Sequence, residues 1–256
     1  MNLFESQINE LDIGLLEEVE SQTSADDKRS LLALHLGCRR VYRQFHWLEI
    51  GSHLGGSLQA LVRDPACVRI DSIDPRPELL GDERLSPQRY PENSTERMVE
   101  LLGRLPEADL DKLHTYEAGT PELHGSDFPP AHVCFIDGEH TDDACAQDAR
   151  FCREAIRGKG LILFHDIGII YRAVAAFAQQ LSSEGVDYDV AYLPDSLFAI
   201  ELGNGTLLED PAVVGRRLEA GQGVLWLLRS NDRYRALLQA RRARTLRRLG
   251  LLPRDF

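Results

Sequence analysis

Two apolar segments of the sequence each end in a pair of side chains that could take part in chemistry. Asp137 and His140 follow the apolar run in AHVCFIDGEH, and His165 and Asp166 follow the run in GLILFHD. The carboxylates of Asp137 and Asp166 suit a divalent ion such as Mg²⁺ or Mn²⁺; His165 either adds a third ligand or orients the loop. Because an imidazole titrates at a pKa of about 6.5, His140, together with Asp137, forms a candidate catalytic pair with His140 as general base.

These side chains also have simpler interpretations. Acidic residues at strand ends often cap the next helix, and Asp143, with Asp142 beside it, is expected to cap the helix that follows Asp137. That assignment leaves Asp137 without a capping role. For His140 the alternative is a solvent-exposed loop histidine. The other histidines at strand starts or in loops are interpreted as structural: His46, His114, His124 and His132.

A glycine-rich loop, LEIGSHLGGS, follows the first apolar segment. Glycines at 51, 55 and 56 let the backbone turn sharply and approach a ligand closely. A dinucleotide-binding loop of the form GxGxxG would place glycine where His53 stands, and this disfavours an NAD-linked oxidoreductase. S-adenosylmethionine (SAM) has no pyrophosphate, so it is compatible with a bulkier loop.

Two carboxylates suit the remaining groups of SAM. Glu49 ends the first strand and can position the methionine ammonium, and Asp74 ends the second strand and can accept hydrogen bonds from both ribose hydroxyls. The alternative for Asp74 is an exposed turn residue before Pro75. The expected cofactor-binding residues are Glu49, Gly51, Ser52, Gly55, Gly56, Ser57, Asp74, Gly119, Thr120 and Asp137.

The elements that must position these residues form an alternating pattern. Apolar runs followed by turn signals predict strands in HWLEI, VRIDSID, HTYEA, AHVCFID and GLILFHD, with helices near 55–63, 94–104, 143–157 and 170–183. Such alternation is typical of a parallel sheet covered by helices on both faces. YDVAYL and LFAIEL predict a closing pair whose last strand is antiparallel. We therefore expect an α/β Rossmann-like, mostly parallel seven-stranded sheet, with ligands at the carboxyl ends of its strands.

Helical segments flank this domain, which is assigned to residues 45–203. Residues 1–44 show helical spacing from 3 to 20 and a second helix capped by Ser24. Residues 204–256 form a helical, Arg-rich tail, and a homo-oligomer through the terminal helices is one expected arrangement. The loop 75–93, with four prolines, and the N-terminal helices are the candidate lid over the substrate.

The composition excludes several classes of protein. The 256 residues carry a net charge of −12, which disfavours nucleic acid as the main partner. No basic region precedes an apolar stretch at the N-terminus, and no stretch approaches the roughly 20 apolar residues of a membrane span. The five cysteines form no CxxC pair. We expect a cytoplasmic protein with reduced thiols.

The combination of EIGSHLGGS, FIDGEH and GLILFHD resembles class I SAM-dependent methyltransferases of the Methyltransf_24 type. This group is related to metal-dependent small-molecule and sugar O-methyltransferases and to cephalosporin hydroxylase-like proteins. The resemblance covers residues 45–202. It implies that Glu49, Gly51 and Asp74 bind SAM, that Asp137 and Asp166 hold a metal ion and that His140 is the base.

The expected function is methyl transfer from SAM to a hydroxyl group of a small-molecule or sugar acceptor, with the metal ion assisting. Most of the rate gain would come from aligning the hydroxyl with the sulfonium. The alternatives are a non-catalytic SAM-binding or scaffold protein and, less favoured, an NAD-linked oxidoreductase.

Overall fold

The computed structural model describes residues 3–76, 79–80, 82, 88–221 and 223–239. Seven strands form the main sheet, and a short antiparallel pair, Leu79–Leu80 with Gln88–Arg89, stands apart from it. The strands of the main sheet are β1 (Phe45–Ile50), β2 (Cys67–Ile73), β3 (Leu113–Tyr116), β4 (Val133–Ile136), β5 (Gly160–Phe164), β6 (Tyr188–Tyr192) and β7 (Phe198–Leu202).

The strand order is β3-β2-β1-β4-β5-β7-β6. Neighbouring strands are parallel, except that β7 runs antiparallel to both β5 and β6. Every residue of β1, β4, β5 and β7 is buried, which explains their nearly continuous apolar character. The predicted fold class and the antiparallel last strand are confirmed. The strand order reverses between β1 and β4, and open sheets of this kind bind ligands beside that point.

Helices cover both faces of the sheet, as predicted. One apolar cluster packs the N-terminal helices and the helices at Gln59–Arg63 and Thr95–Gly103 against one face, and a second packs the helices at Asp142–Ile156 and Ile167–Ser183 against the other. The helices are α1 (Leu3–Glu10), α2 (Ala25–Val41), α3 (Gln59–Arg63), α4 (Thr95–Gly103), α5 (Asp142–Ile156), α6 (Ile167–Ser183), α7 (Pro211–Val214) and α8 (Gly223–Gln239).

The N-terminal segment differs from the prediction of one helix over 3–20. Helix α1 ends at Glu10, and Leu11 adopts a left-handed φ of 52°. Asp12 then accepts a hydrogen bond from the Gly14 amide and begins a short 3₁₀ turn. The predicted cap of the second helix is confirmed, because Ser24 Oγ accepts from the Asp27 amide at 3.1 Å.

The C-terminal tail is helical in part. Helix α8 exposes 68% of Trp226, and the predicted oligomer contact through terminal helices stays a prediction. Residues 240–256, which hold most of the Arg-rich tail, lie outside the described residues. Within the described part of the chain, none of the helices combines the length and apolar character that a bilayer crossing requires.

Candidate active site

Two adjoining cavities lie at the carboxyl ends of the central strands. The larger, about 190 Å³, has mostly apolar walls, and three acidic residues line it: Asp74, Glu139 and Asp148. The smaller, about 110 Å³, is polar and is lined by residues that include Asp137 and His140. Gly51 lines both cavities. The pair therefore offers one continuous surface with an apolar end and a polar end.

Gly51 joins the ends of β1 and β4. Its φ is +86°, and a Cβ at this position would lie 2.6 Å from the carbonyl carbon of Asp137 and 2.7 Å from the Cα of Gly138. Only glycine permits this backbone conformation and this approach without displacing the neighbouring strand end. The residue thus sets the position of Asp137 at the edge of the polar cavity.

The other residues of the glycine loop serve different purposes. Gly55 packs against α4 and lines neither cavity, whereas Gly56 lies under the N-terminal segment, with the Cβ of Ser21 2.5 Å from where its own Cβ would be. Ser52 and Ser57 line the polar cavity. The Ser52 hydroxyl itself pairs with that of Ser72 at 2.7 Å.

Glu49 is fully buried behind the loop and lines neither cavity. The hydroxyl of Ser57 donates to its Oε1, and the indole nitrogen of Trp47 donates to its Oε2 at 3.2 Å. Burial raises the pKa of Glu49 to about 8, although these two hydrogen bonds oppose the rise. A cation bound at Ser57 would favour the ionised carboxylate.

Asp74 ends β2 on the wall of the larger cavity. Its Oδ2 accepts from the amide of His53 at 2.9 Å, and its Oδ1 accepts from the amide of Arg76 at 2.7 Å. Only 4% of the residue is exposed, so the alternative of an exposed turn residue is wrong. Oδ2 also accepts from Nη1 of Arg76 at 3.4 Å, so Oδ1 is the oxygen that keeps a lone pair for a ligand.

The polar cavity brings together Asp137, His140 and Asp166. Their ligand atoms all lie within 4.8 Å of one another. His140 places Nε2 3.3 Å from Asp166 and Nδ1 3.5 Å from Asp82, and only 13% of its side chain is exposed. It is therefore not the solvent-exposed loop histidine of the alternative reading.

Helix capping does not explain the two aspartates. Asp166 precedes α6 with a left-handed φ of 50°, and its side chain makes no capping hydrogen bond. For α5, Thr141 is the cap and accepts from the Ala144 amide, so the prediction that Asp142 or Asp143 caps this helix is wrong. Asp142 instead accepts from the Ala173 amide of α6. The prediction from acidic residues failed because Thr141, one residue before Asp142, adopts the extended backbone conformation of a helix cap.

His165 lies beneath this group, buried at the end of β5. Its Nδ1 is 2.9 Å from Asp137 and 3.3 Å from Asp166, and its Nε2 is 3.5 Å from Asp27. Burial by itself would lower the pKa of His165, but the three carboxylates raise it well above its ordinary value. The ring therefore connects the polar cavity to the first turn of α2.

Asp27 was missed by sequence reasoning. Its Oδ1 accepts from the amide of Ser196 at 3.1 Å and its Oδ2 from the Ser196 hydroxyl at 3.0 Å, and Oδ2 also lies 3.5 Å from His165. The sequence signal was SxxD, which indicates a helix cap only. The contact of Asp27 with Ser196 joins residues 169 positions apart in the sequence, so no local pattern indicates it.

The N-terminal segment also closes the polar cavity. Glu20 and Thr23 line it from one side, and Tyr90 and His53 line it from another. The rings of His53 and Tyr90 pack edge to face with centroids 5.1 Å apart. The predicted lid thus contributes walls from both of its parts, while residues 77–78, 81 and 83–87 of the loop lie outside the described residues.

Gly119 and Thr120 line the larger cavity at the end of β3. Of the predicted site residues, the polar cavity gathers Gly51, Ser52, Gly56, Ser57, Asp137, His140, His165 and Asp166, and the apolar cavity gathers Gly51, Asp74, Gly119 and Thr120.

Comparison with known proteins agrees with this architecture. Residues 48–167 match the Methyltransf_24 model, described as a methyltransferase domain. No curated protein matches the chain. Among solved structures, MycE methyltransferase from the mycinamycin biosynthetic pathway, in complex with Mg, SAH and mycinamycin VI, is 13% identical, with 77% of this chain and 54% of that chain covered and a TM-score of 0.50.

Two further structures are similar. An O-methyltransferase from Bacillus cereus in complex with SAH is 12% identical, with 79% and 91% of the two chains covered and a TM-score of 0.46. A protein from Klebsiella pneumoniae assigned as an O-methyltransferase is 13% identical, with the same coverage and a TM-score of 0.49. Residues 48–167 thus match a methyltransferase-domain model, and the chain has the Rossmann-like α/β fold of class I SAM-dependent methyltransferases.

Proposed function

We propose that the protein transfers the methyl group of SAM to a hydroxyl group of a small molecule or sugar, with a divalent ion at the acceptor end. The observation that carries the proposal is the pair of cavities joined at Gly51. The apolar cavity, with Asp74 on its wall, suits adenosine, and the polar cavity suits the methionine group and the acceptor. Gly51 lets the ligand cross from one to the other.

Asp74 is the proposed ribose ligand. Backbone amides hold both of its oxygens at the wall of the apolar cavity, and Oδ1 can still accept from a ribose hydroxyl. Ser57 and the backbone at Ser52 are proposed to contact the methionine group. Glu49 acts behind Ser57, where it supplies negative charge to the ammonium end of the cavity.

The residues of the polar cavity fit a divalent ion. Asp137 and Asp166 offer hard oxygen atoms from two different strand ends, and neither is used for helix capping. We propose these two as the ligands. His165, predicted as a third ligand, lies between Asp27 and Asp137, and we propose that it holds Asp137 in place. A bound ion would lower the pKa of an acceptor hydroxyl.

His140 is the proposed general base. In the transfer, Nε2 of His140 takes the hydroxyl proton, the hydroxyl oxygen bonds to the methyl carbon, and the carbon–sulfur bond breaks to leave S-adenosylhomocysteine (SAH). Nδ1 lies 3.5 Å from Asp82, and Nε2 lies 3.3 Å from Asp166, a proposed ligand of the ion. With Asp166 engaged by an ion, the contact with Asp82 would favour the tautomer with its proton on Nδ1 and leave Nε2 to accept.

A hydroxyl acceptor is supported by the polar lining. Besides the ionisable groups, Glu20, Ser21 and Thr23 face this cavity, and they can hydrogen-bond to an acceptor with several hydroxyl groups. MycE, which shares the fold, was solved with Mg, SAH and mycinamycin VI, and this is consistent with such an acceptor beside an ion.

Calorimetry with SAH and with NADH tests the cofactor. We expect SAH to bind and NADH not to bind; NADH binding would favour an oxidoreductase. Turnover of SAM is then measured on a panel of sugars, phenols and polyketide alcohols. SAH binding without turnover on any of them would favour the scaffold alternative.

The ion and the base need separate variants. Asp137→Asn and Asp166→Asn are expected to abolish Mn²⁺ binding measured by electron paramagnetic resonance, while Asp143→Asn, an exposed change in α5, is the matched control. His140→Gln should keep Mn²⁺ and lose turnover. If His140→Gln lost Mn²⁺ as well, its role as base would be replaced by that of a ligand.

A further inference from the structure

One buried carboxylate that lines neither cavity is connected to both proposed ligands of the ion. Asp27 lies in the first turn of α2, and only 2% of the residue is exposed. Capping of α2 does not account for this burial, because the cap is Ser24, which accepts from the Asp27 amide. A carboxylate is costly to bury unless other groups pair with it, so the partners of Asp27 indicate what it holds.

The first connection leads to Asp137. Oδ2 of Asp27 lies 3.5 Å from Nε2 of His165, and Nδ1 of the same ring lies 2.9 Å from Oδ1 of Asp137. Only 8% of the His165 side chain is exposed, so packing leaves the ring little freedom to turn. Because the two ring nitrogens point in different directions, a carboxylate at one of them fixes the direction of the other. Asp27 therefore orients the ring toward Asp137.

The second connection leads to Asp166 through the turn between β6 and β7. Ser196 in this turn donates its amide and its hydroxyl to the two carboxylate oxygens of Asp27. The same residue accepts from two consecutive amides, that of Asp166 at its hydroxyl, 3.4 Å away, and that of Ile167 at its carbonyl, 3.0 Å away. Asp166 requires such support, since its φ of +50° is unfavourable for a residue with a side chain.

We propose that Asp27 is a positioning residue for the divalent ion. It holds Asp137 in place through His165. It holds the backbone of Asp166 in place through Ser196. The inference rests on the proposed function, because it takes the two aspartates as the ligands. Ligands that are already in position lose less freedom when the ion binds, and groups behind metal ligands change the affinity for the metal by about 10- to 100-fold.

Titration with Mn²⁺, followed by electron paramagnetic resonance, tests the proposal, and calorimetry with SAH in the presence of EDTA supplies a second readout. Asp27→Asn should weaken Mn²⁺ binding about tenfold or more, because a carboxamide cannot accept at both atoms. SAH binding without the ion should match the wild type, since Asp27 lines neither cavity. Asp26→Asn, the same change at the exposed neighbouring position, should leave both affinities unchanged.

Variants of Ser196 and His165 separate positioning from a general loss of stability. Ser196→Ala removes the hydroxyl that joins Asp27 to the Asp166 amide and should weaken Mn²⁺ binding about tenfold. Ser196→Thr keeps a hydroxyl at this place and should restore the affinity. Asp27→Asn should cost less affinity in a His165→Gln background than in the wild type, because part of its effect passes through the ring.

Three results would overturn the assignment while the ion site itself stands. They are wild-type Mn²⁺ affinity in Asp27→Asn, an equal weakening of Mn²⁺ and SAH binding, which indicates a structural role only, and additive losses in the double variant with His165→Gln. A wild type that binds SAH but no Mn²⁺ would overturn the proposed ion site and this inference together.

Discussion

The approach of β1 to β4 at Gly51 leads to a quantitative prediction about stability and binding. Replacing Gly51 with alanine introduces two costs. The first is backbone strain, since an alanine at positive φ is less stable by about 1 kcal/mol. The second is steric, because the new Cβ would lie 2.6 Å from the carbonyl carbon of Asp137. Overlap of this kind with backbone costs about 2 kcal/mol or more, since the strand ends must separate.

Gly185 provides a matched control. It follows α6 with a φ of +69°, and nothing lies within 4 Å of where its Cβ would stand. Gly185→Ala therefore carries the strain without the steric overlap. We expect it to cost about 1 kcal/mol, against about 3 kcal/mol for Gly51→Ala. For a chain of this size these values correspond to a Tm lowered by roughly 2–4 °C and 6–12 °C, respectively.

Thermal unfolding followed by circular dichroism measures both variants, and calorimetry measures their affinity for SAH. Gly51→Ala should also bind SAH at least about tenfold more weakly, because separating the strand ends displaces Asp137 and the wall shared by the cavities. Gly185→Ala should bind as the wild type does. Equal losses of Tm in the two variants would refute the reasoning, since the contact with Asp137 would then be relieved at no cost.

Three other predictions follow from the buried carboxylates. Asp74→Asn should weaken SAH binding by about tenfold or more in calorimetry, since a charge-assisted hydrogen bond to the ribose is lost; unchanged affinity would exclude the ribose role. Asp27→Asn should lower the free energy of unfolding by about 2 kcal/mol in urea titrations, because the bonds from Ser196 to a buried carboxylate are weakened, while Asp26→Asn, an exposed change, should cost under about 1 kcal/mol. The pKa of Asp148 is about 6 in the folded state and near 3.8 in the unfolded state, so the ligand-free protein binds this proton more tightly when folded. The free energy of unfolding should therefore fall by about 3 kcal/mol as the pH rises from below 4 to above 6. Asp148→Asn should remove that part of the pH dependence in urea titrations across this range, and a parallel profile in the variant would contradict the raised pKa.

The sequence by itself determined the sheet and the edge that carries the candidate site. Continuous apolar runs predict buried parallel strands because both faces must be covered, and this holds whatever the long-range contacts are. The glycine at 51 and the acidic residues 74, 137 and 166 end those strands. Their meeting at one edge follows from the parallel arrangement alone, so the core of the candidate site could be predicted.

Only the tertiary structure decided the partners of these residues. Sequence pattern describes neighbours within a helix or strand, but Asp27 meets Ser196 across 169 positions, and Asp148 meets Thr120 across 28. The depth of a side chain is likewise set by packing: Glu49 lies behind the loop, and His165 lies beneath the carboxylates it was expected to join. Composition and spacing carry no record of such contacts, because they depend on how elements distant in the chain pack against one sheet.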